Sequence, residues 1–181
     1  MGRARSAIAT KCGVEALLNG AMAAYGLQSI SSTSFDDFYE AVNFCRSESE
    51  ELGGTEGQEA WIHWQHGDWS VLSDLSILIP RGLDALKALS AQIGPIVVAS
   101  IDSAFEYASF AYLDEGKIKR LLVLEDEEIV EEGLPVKAER GEHFGDVDEE
   151  GVERLWTSYG LPTFDYDPTD GPFVCSCLKV S

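Results

Sequence analysis

From Ile96 to Val130 the chain sets four extended runs one after another with only short turns between them. That spacing leaves no room for a helix crossing from one strand to the next. Ile96-Val97-Val98-Ala99 is a short apolar run of the kind a buried strand shows. Phe105 to Leu113 is a longer strand, Asp114-Glu115-Gly116 a turn, and Lys117 to Leu124 a returning strand with Ile118, Leu122 and Leu124 on one side. Ile129-Val130 begins a last strand before Gly133-Leu134-Pro135. Consecutive strands without crossover helices pair antiparallel, because a parallel pair needs a long connection. Phe105 and Tyr107 fall in opposite phase to Phe110 and Tyr112. Either both faces of that strand are covered or a bulge sits near Ala108-Ser109.

Around this meander the sequence predicts helices and one hairpin. A helix is expected over Val14 to Tyr25, where alanines and leucines favour it against Gly20. A second runs from an N-cap at Ser34 to Leu52, with Asp36 and Asp37 in its first turn. Phe35, Phe38, Tyr39, Val42 and Cys45 fall at helical spacing, and Gly53-Gly54 stops it. Ala60 to Leu72 has the pattern of a hairpin turning at His66-Gly67-Asp68. Pro80 opens a further helix that Gly94-Pro95 closes. Asp148 caps a last one presenting Val152, Leu155, Trp156 and Tyr159, and Gly160 ends it. The segment 163–181, with Pro168, Gly171 and Pro172, is expected to be an irregular tail. The fold class expected is a single α+β domain over 1–181, with a mainly antiparallel sheet flanked by three to four helices.

Charge bears on partners more than on fold. The chain has 32 acidic and 13 basic residues, a formal net charge of −19 over 181 residues. Glu125 to Glu153 alone holds 13 of the acids against Lys137 and Arg140. Such a surface repels nucleic acid and anionic membrane, and suits a basic protein or simple solubility. No apolar run reaches the ~18 residues of a membrane span, and oligomeric state is not encoded in any pattern here. Cys12, Cys45, Cys175 and Cys177 lack zinc-ligand spacing, so reduced thiols in a cytoplasmic protein are expected.

No motif names a reaction or a cofactor. There is no nucleophile elbow, no phosphate-binding glycine loop, no dinucleotide fingerprint and no His-Glu-x-x-His. His63, His66 and His143 are the only histidines, each close to turn residues. His63 and His66 would face opposite sides of a strand, which is poor geometry for one ion. Trp61, Trp64 and Trp69 suit sheet packing first and an aromatic ligand surface second. The contiguous acids Glu125-Asp126-Glu127-Glu128 do not match a calcium loop, and a catalytic carboxylate pair cannot be chosen among 32.

Phe110-Ala-Tyr112-Leu-Asp-Glu-Gly116, then Lys119-Arg120, then Glu132-Gly133-Leu-Pro-Val-Lys-Ala-Glu139 follow one another within Phe105 to Glu139. This succession of aromatic strand, glycine turn, Arg-bearing strand and Gly-x-Pro-x-x-x-Glu ending resembles uncharacterised bacterial α+β families, some of them immunity proteins of polymorphic toxin systems. The resemblance covers about a fifth of the chain and brings no catalytic residues. It implies a bacterial interaction protein.

Two functional expectations result. The first is a non-enzymatic acidic protein-binding domain, an immunity-type inhibitor of a basic toxin. Its binding face would comprise Glu127, Glu128, Glu131, Glu132 and Glu139, all exposed and free of internal Arg or Lys partners. The alternative is a small-molecule binder or enzyme with a pocket near Trp61, His63, Trp64, His66 and Trp69.

Overall fold

The computed structural model describes residues 4–139, 147–164 and 169–181. Arg140, His143 and Pro168 lie outside the described residues. Nine strands form one sheet in the order β2-β9-β3-β4-β1-β5-β6-β7-β8. They are β1 Ala4–Thr10, β2 Leu27–Phe35, β3 Glu59–His66, β4 Trp69–Asp74, β5 Ile96–Asp102, β6 Tyr107–Asp114, β7 Lys117–Glu125, β8 Glu128–Gly133 and β9 Phe173–Val180. Every neighbouring pair is antiparallel. The helices are α1 Val14–Tyr25, α2 Phe38–Glu48, α3 Leu83–Ile93 and α4 Glu149–Thr157. The α+β architecture expected from the sequence is the one found.

The sheet divides the core in two. α1 and α3 pack over Ile8, Trp61, Leu72, Val98, Leu113 and Leu178. α2 and α4 pack on the other face over Ala7, Ile62, Trp64, Phe110, Leu122 and Phe173. Strand alternation assigns the sides, since successive side chains point oppositely. Ala7 and Ile8 on β1 belong to different cores, and so do Trp61 and Ile62 on β3. Covering both faces of β6 resolves the phase change in its aromatics. β5 and β6 pair without a break from Ile96↔Leu113 to Asp102↔Tyr107, so no bulge occurs at Ala108-Ser109.

The bulge lies instead on β7. Tyr112 opposes Arg120 while Leu113 opposes Ile118, so Lys119 is the extra residue. It turns Ile118 to the α1/α3 side and leaves Leu122 and Leu124 on the other, which corrects the expectation of one shared face.

Three strands escape the sequence patterns. β1 is central and five of its seven residues are buried, yet Ala-Arg-Ser-Ala-Ile-Ala-Thr has little β-propensity of its own. β2 is a serine-rich edge, so the N-cap of α2 is not Ser34 but Asp37, whose carboxylate accepts the Glu40 N–H at 2.9 Å. β9 converts most of the expected irregular tail into an interior strand between β2 and β3. The cap of α4 is where the sequence puts it: Asp148 Oδ1 accepts the Gly151 N–H at 2.7 Å.

Candidate functional site

Two surface regions gather chemistry. The first is the β8 edge with the turns beside it. All six residues of β8 are exposed, and Glu125, Asp126 and Glu127 before it are exposed as well. Opposite Val123 and Leu121 in the register with β7, Val130 and Glu132 share one face with Glu128; Ile129 and Glu131 lie on the other. Ile129 is 48% and Val130 55% exposed, so apolar and acidic groups are mixed along an edge that no further strand covers among the described residues. The β5–β6 turn adds Phe105, which is 71% exposed and lines a shallow concavity with Arg81, Glu125 and Asp126. The sequence pattern places Phe105 inside a strand; the strand begins two residues later.

Not all the expected acids belong to this face. Glu139 has a side chain only 5% exposed and receives Arg120 twice, Nε to Oε1 at 3.0 Å and Nη2 to Oε2 at 2.6 Å. Its Oε1 also accepts the Val136 N–H at 2.8 Å. Glu131 stays exposed but accepts Arg120 Nη2 at 2.9 Å. Both therefore depart from the expectation of unpaired acids: a guanidinium buried to 4% exposure requires carboxylates around it. These partners hold the Arg120 charge in place and raise its pKa against the opposing effect of burial. Gly133 explains the glycine of the same motif. A Cβ there would sit 2.1 Å from the Lys119 carbonyl oxygen at the bulge, and its φ is +84°. Arg120, Gly133 and Glu139 are thus brought together as a structural clasp. Glu127, Glu128 and Glu132 remain as the exposed acids.

The second region is a cavity of about 490 Å³ where β1 ends and β4 and β5 begin. Trp69, Tyr112 and Tyr159 supply its rings, and Thr10, Lys11 and Cys12 its rim. Trp69 meets Tyr159 edge to face at 6.2 Å, and Tyr112 and Tyr159 lie tilted at 6.1 Å. Trp69 Nε1 donates to the Tyr159 carbonyl at 3.0 Å, which fixes the wall. Lys11 Nζ lies 5.1 Å from the Trp69 ring centre and makes no ion pair among the described residues.

Of the alternative ligand set, only Trp69 reaches this cavity. Trp61 is fully buried against Tyr25, and Trp64 packs edge to face with Phe38 and Phe173. His63 is 8% exposed, and its Nε2 shares a hydrogen bond with Ser176 Oγ at 3.0 Å. Burial lowers its pKa to about 4. His66 pairs with Asp170 instead, so the structure does not bring the two histidines together. The cysteines are all free. The neighbouring Cys175 thiol and burial hold Cys45 above the ordinary thiol range, which makes it a packing group and not a nucleophile.

No protein-family model, no curated protein and no solved structure matches the chain. Among the described residues, no helix is long and apolar enough to cross a membrane.

Proposed function

We propose that this protein is a non-enzymatic binding domain that recognises a basic protein, as an immunity-type inhibitor covers a basic toxin. One observation carries this: β8 is exposed along its whole length, with the acids Glu128 and Glu132 outside the Arg120 clasp and the apolar Ile129 and Val130 between them, on the edge that also bears an exposed phenyl ring. An arginine of the partner would stack on Phe105 while its guanidinium meets Glu125 or Asp126, combining a cation–π contact with a charge-assisted hydrogen bond. Glu128 and Glu132 would steer the approach. The acids also disfavour pairing of this edge with a second copy of the same chain, since like charges would meet.

Affinity capture with the wild-type chain and with Glu128→Lys/Glu132→Lys, at low and high salt, tests the reading. A basic protein held by wild type at low salt, released at high salt and not held by the variant supports it. Equal retention by both chains, or no basic protein in either eluate, contradicts it.

A further inference from the structure

The cavity at Trp69 lies at the opposite strand end of the sheet from Phe105, Glu125 and Asp126, and a protein-binding role centred on those residues does not use it. Tyr112 and Leu113 stand at the far end of β6 from Tyr107, which neighbours Phe105. About 490 Å³ is the size of a small-molecule pocket, usually mainly apolar with a few polar groups that fix orientation. Here Val97, Ile93 and Pro95 form an apolar floor and side beneath three aromatic rings.

Lys11 and two tyrosine hydroxyls are the donors this cavity offers, while Asp114 and Glu139 bear on the tyrosines from outside its lining. Lys11 sits at the rim without a carboxylate partner among the described residues. Tyr159 also lines a second cavity of about 410 Å³ together with Lys137, in a chain of 13 basic residues against 32 acids. The Tyr112 and Tyr159 hydroxyls have no hydrogen-bond partner among the described residues. Burial holds both phenols above their ordinary pKa, with Asp114 adding to the effect on Tyr112, and Tyr112 and Glu139 adding to that on Tyr159. They are therefore donors at neutral pH. The Thr10 hydroxyl is already used on the Pro95 carbonyl at 2.9 Å, so it shapes the wall.

We infer that this cavity binds a small planar aromatic carboxylate, its ring held among Trp69, Tyr112 and Tyr159 and its carboxylate received by Lys11 and a tyrosine hydroxyl. A cation would have to displace Lys11 from the face of Trp69, and a purely apolar molecule would leave the tyrosine donors desolvated without acceptors.

Titration with indole-3-acetate, its neutral isostere indole-3-acetamide and the cation tryptamine tests this, read by calorimetry on the full chain. The carboxylate is expected to bind saturably and at least about tenfold tighter than the amide, with tryptamine weakest. Lys11→Met should remove the preference for carboxylate over amide, and Trp69→Phe should weaken both ligands alike. No saturable binding by any of the three, equal binding of acid and amide, tighter binding of the amine, or an unaltered preference in Lys11→Met would each overturn the inference. Circular dichroism of each variant separates lost binding from lost fold. The acidic edge is untouched in all of these proteins, so failure here leaves the protein-binding proposal standing.

Discussion

Arg120 and Glu139 set the terms at the scale of single residues, because the buried Glu139 carboxylate depends on Arg120, and Arg120 in turn on Glu139 and Glu131. Replacing Arg120 by Met leaves Glu139 buried without a counter-charge, a situation that typically costs about 3–5 kcal/mol. Urea unfolding of Arg120→Met should show a loss of that order, and an unchanged midpoint would mean that Glu139 swings out to water. Gly133→Ala strikes the same clasp from the backbone side: a Cβ 2.1 Å from a carbonyl at a φ of +84° has no relaxed position. His63 gives a pH signature. Its folded pKa of about 4 lies below the ordinary 6.5, so between those values the unfolded chain binds the extra proton and stability falls as pH drops. Relative to His63→Gln, the wild type should lose about 2 kcal/mol between pH 7.5 and pH 5. Parallel curves for the two proteins would show that His63 is solvated in the folded state.

Elements differ in how far their own residues specify them. The turn into β8 places Asp126 at φ 51° and Glu127 at φ 66°, the backbone of a two-residue hairpin that favours glycine at its second position. Glu127→Gly should therefore leave the fold intact and raise stability by about 0.5–1 kcal/mol in urea unfolding; a destabilised variant would mean that the Glu127 side chain contributes to the turn. The existence and type of α4, with its Asp148 cap, of β5 and β6 and of the hairpin at Gly67 were legible from sequence, although α4 stops at Thr157 before Tyr159, β5 runs on to Asp102 and β6 begins at Tyr107 and not Phe105. β1 was not, because Ala7, Ala9 and Ala99 are strand residues only by virtue of their neighbours: Ala7 pairs with Ala99 beneath a helix layer that includes Trp156. β9 did carry a signal. Phe173, Cys175 and Cys177 alternate with Val174, Ser176 and Leu178, a period-2 run masked by the Pro and Gly just before it. The candidate site was legible in part. Charge density pointed to β8, but neither the burial of Glu139 nor the exposure of Phe105 follows from local pattern. The cavity joins residues from 10 to 159, a proximity that only the sheet order creates.

Across the whole molecule, the sheet order separates two chemistries. Its acidic edge lies on β8, with Phe105, Glu125 and Asp126 at one strand end, while the aromatic cavity sits at the other strand end, on β1, β4, β5 and β6 beside Lys11. With a net charge of −19, the field acts at a distance and should be felt first in the rate of encounter with a basic partner. Glu128→Lys/Glu132→Lys alters two exposed side chains outside the Arg120 clasp, so its melting temperature should stay within a few degrees of wild type. The most direct test of the central claim is the association rate of the captured basic partner with wild type and with this double variant, measured by stopped flow across a range of salt. At low salt the variant is expected to associate about tenfold more slowly, with a flatter salt dependence and convergence of the two proteins at high salt. Identical rates and identical salt slopes would contradict it, and would leave the acids of β8 with no role beyond keeping the chain in solution.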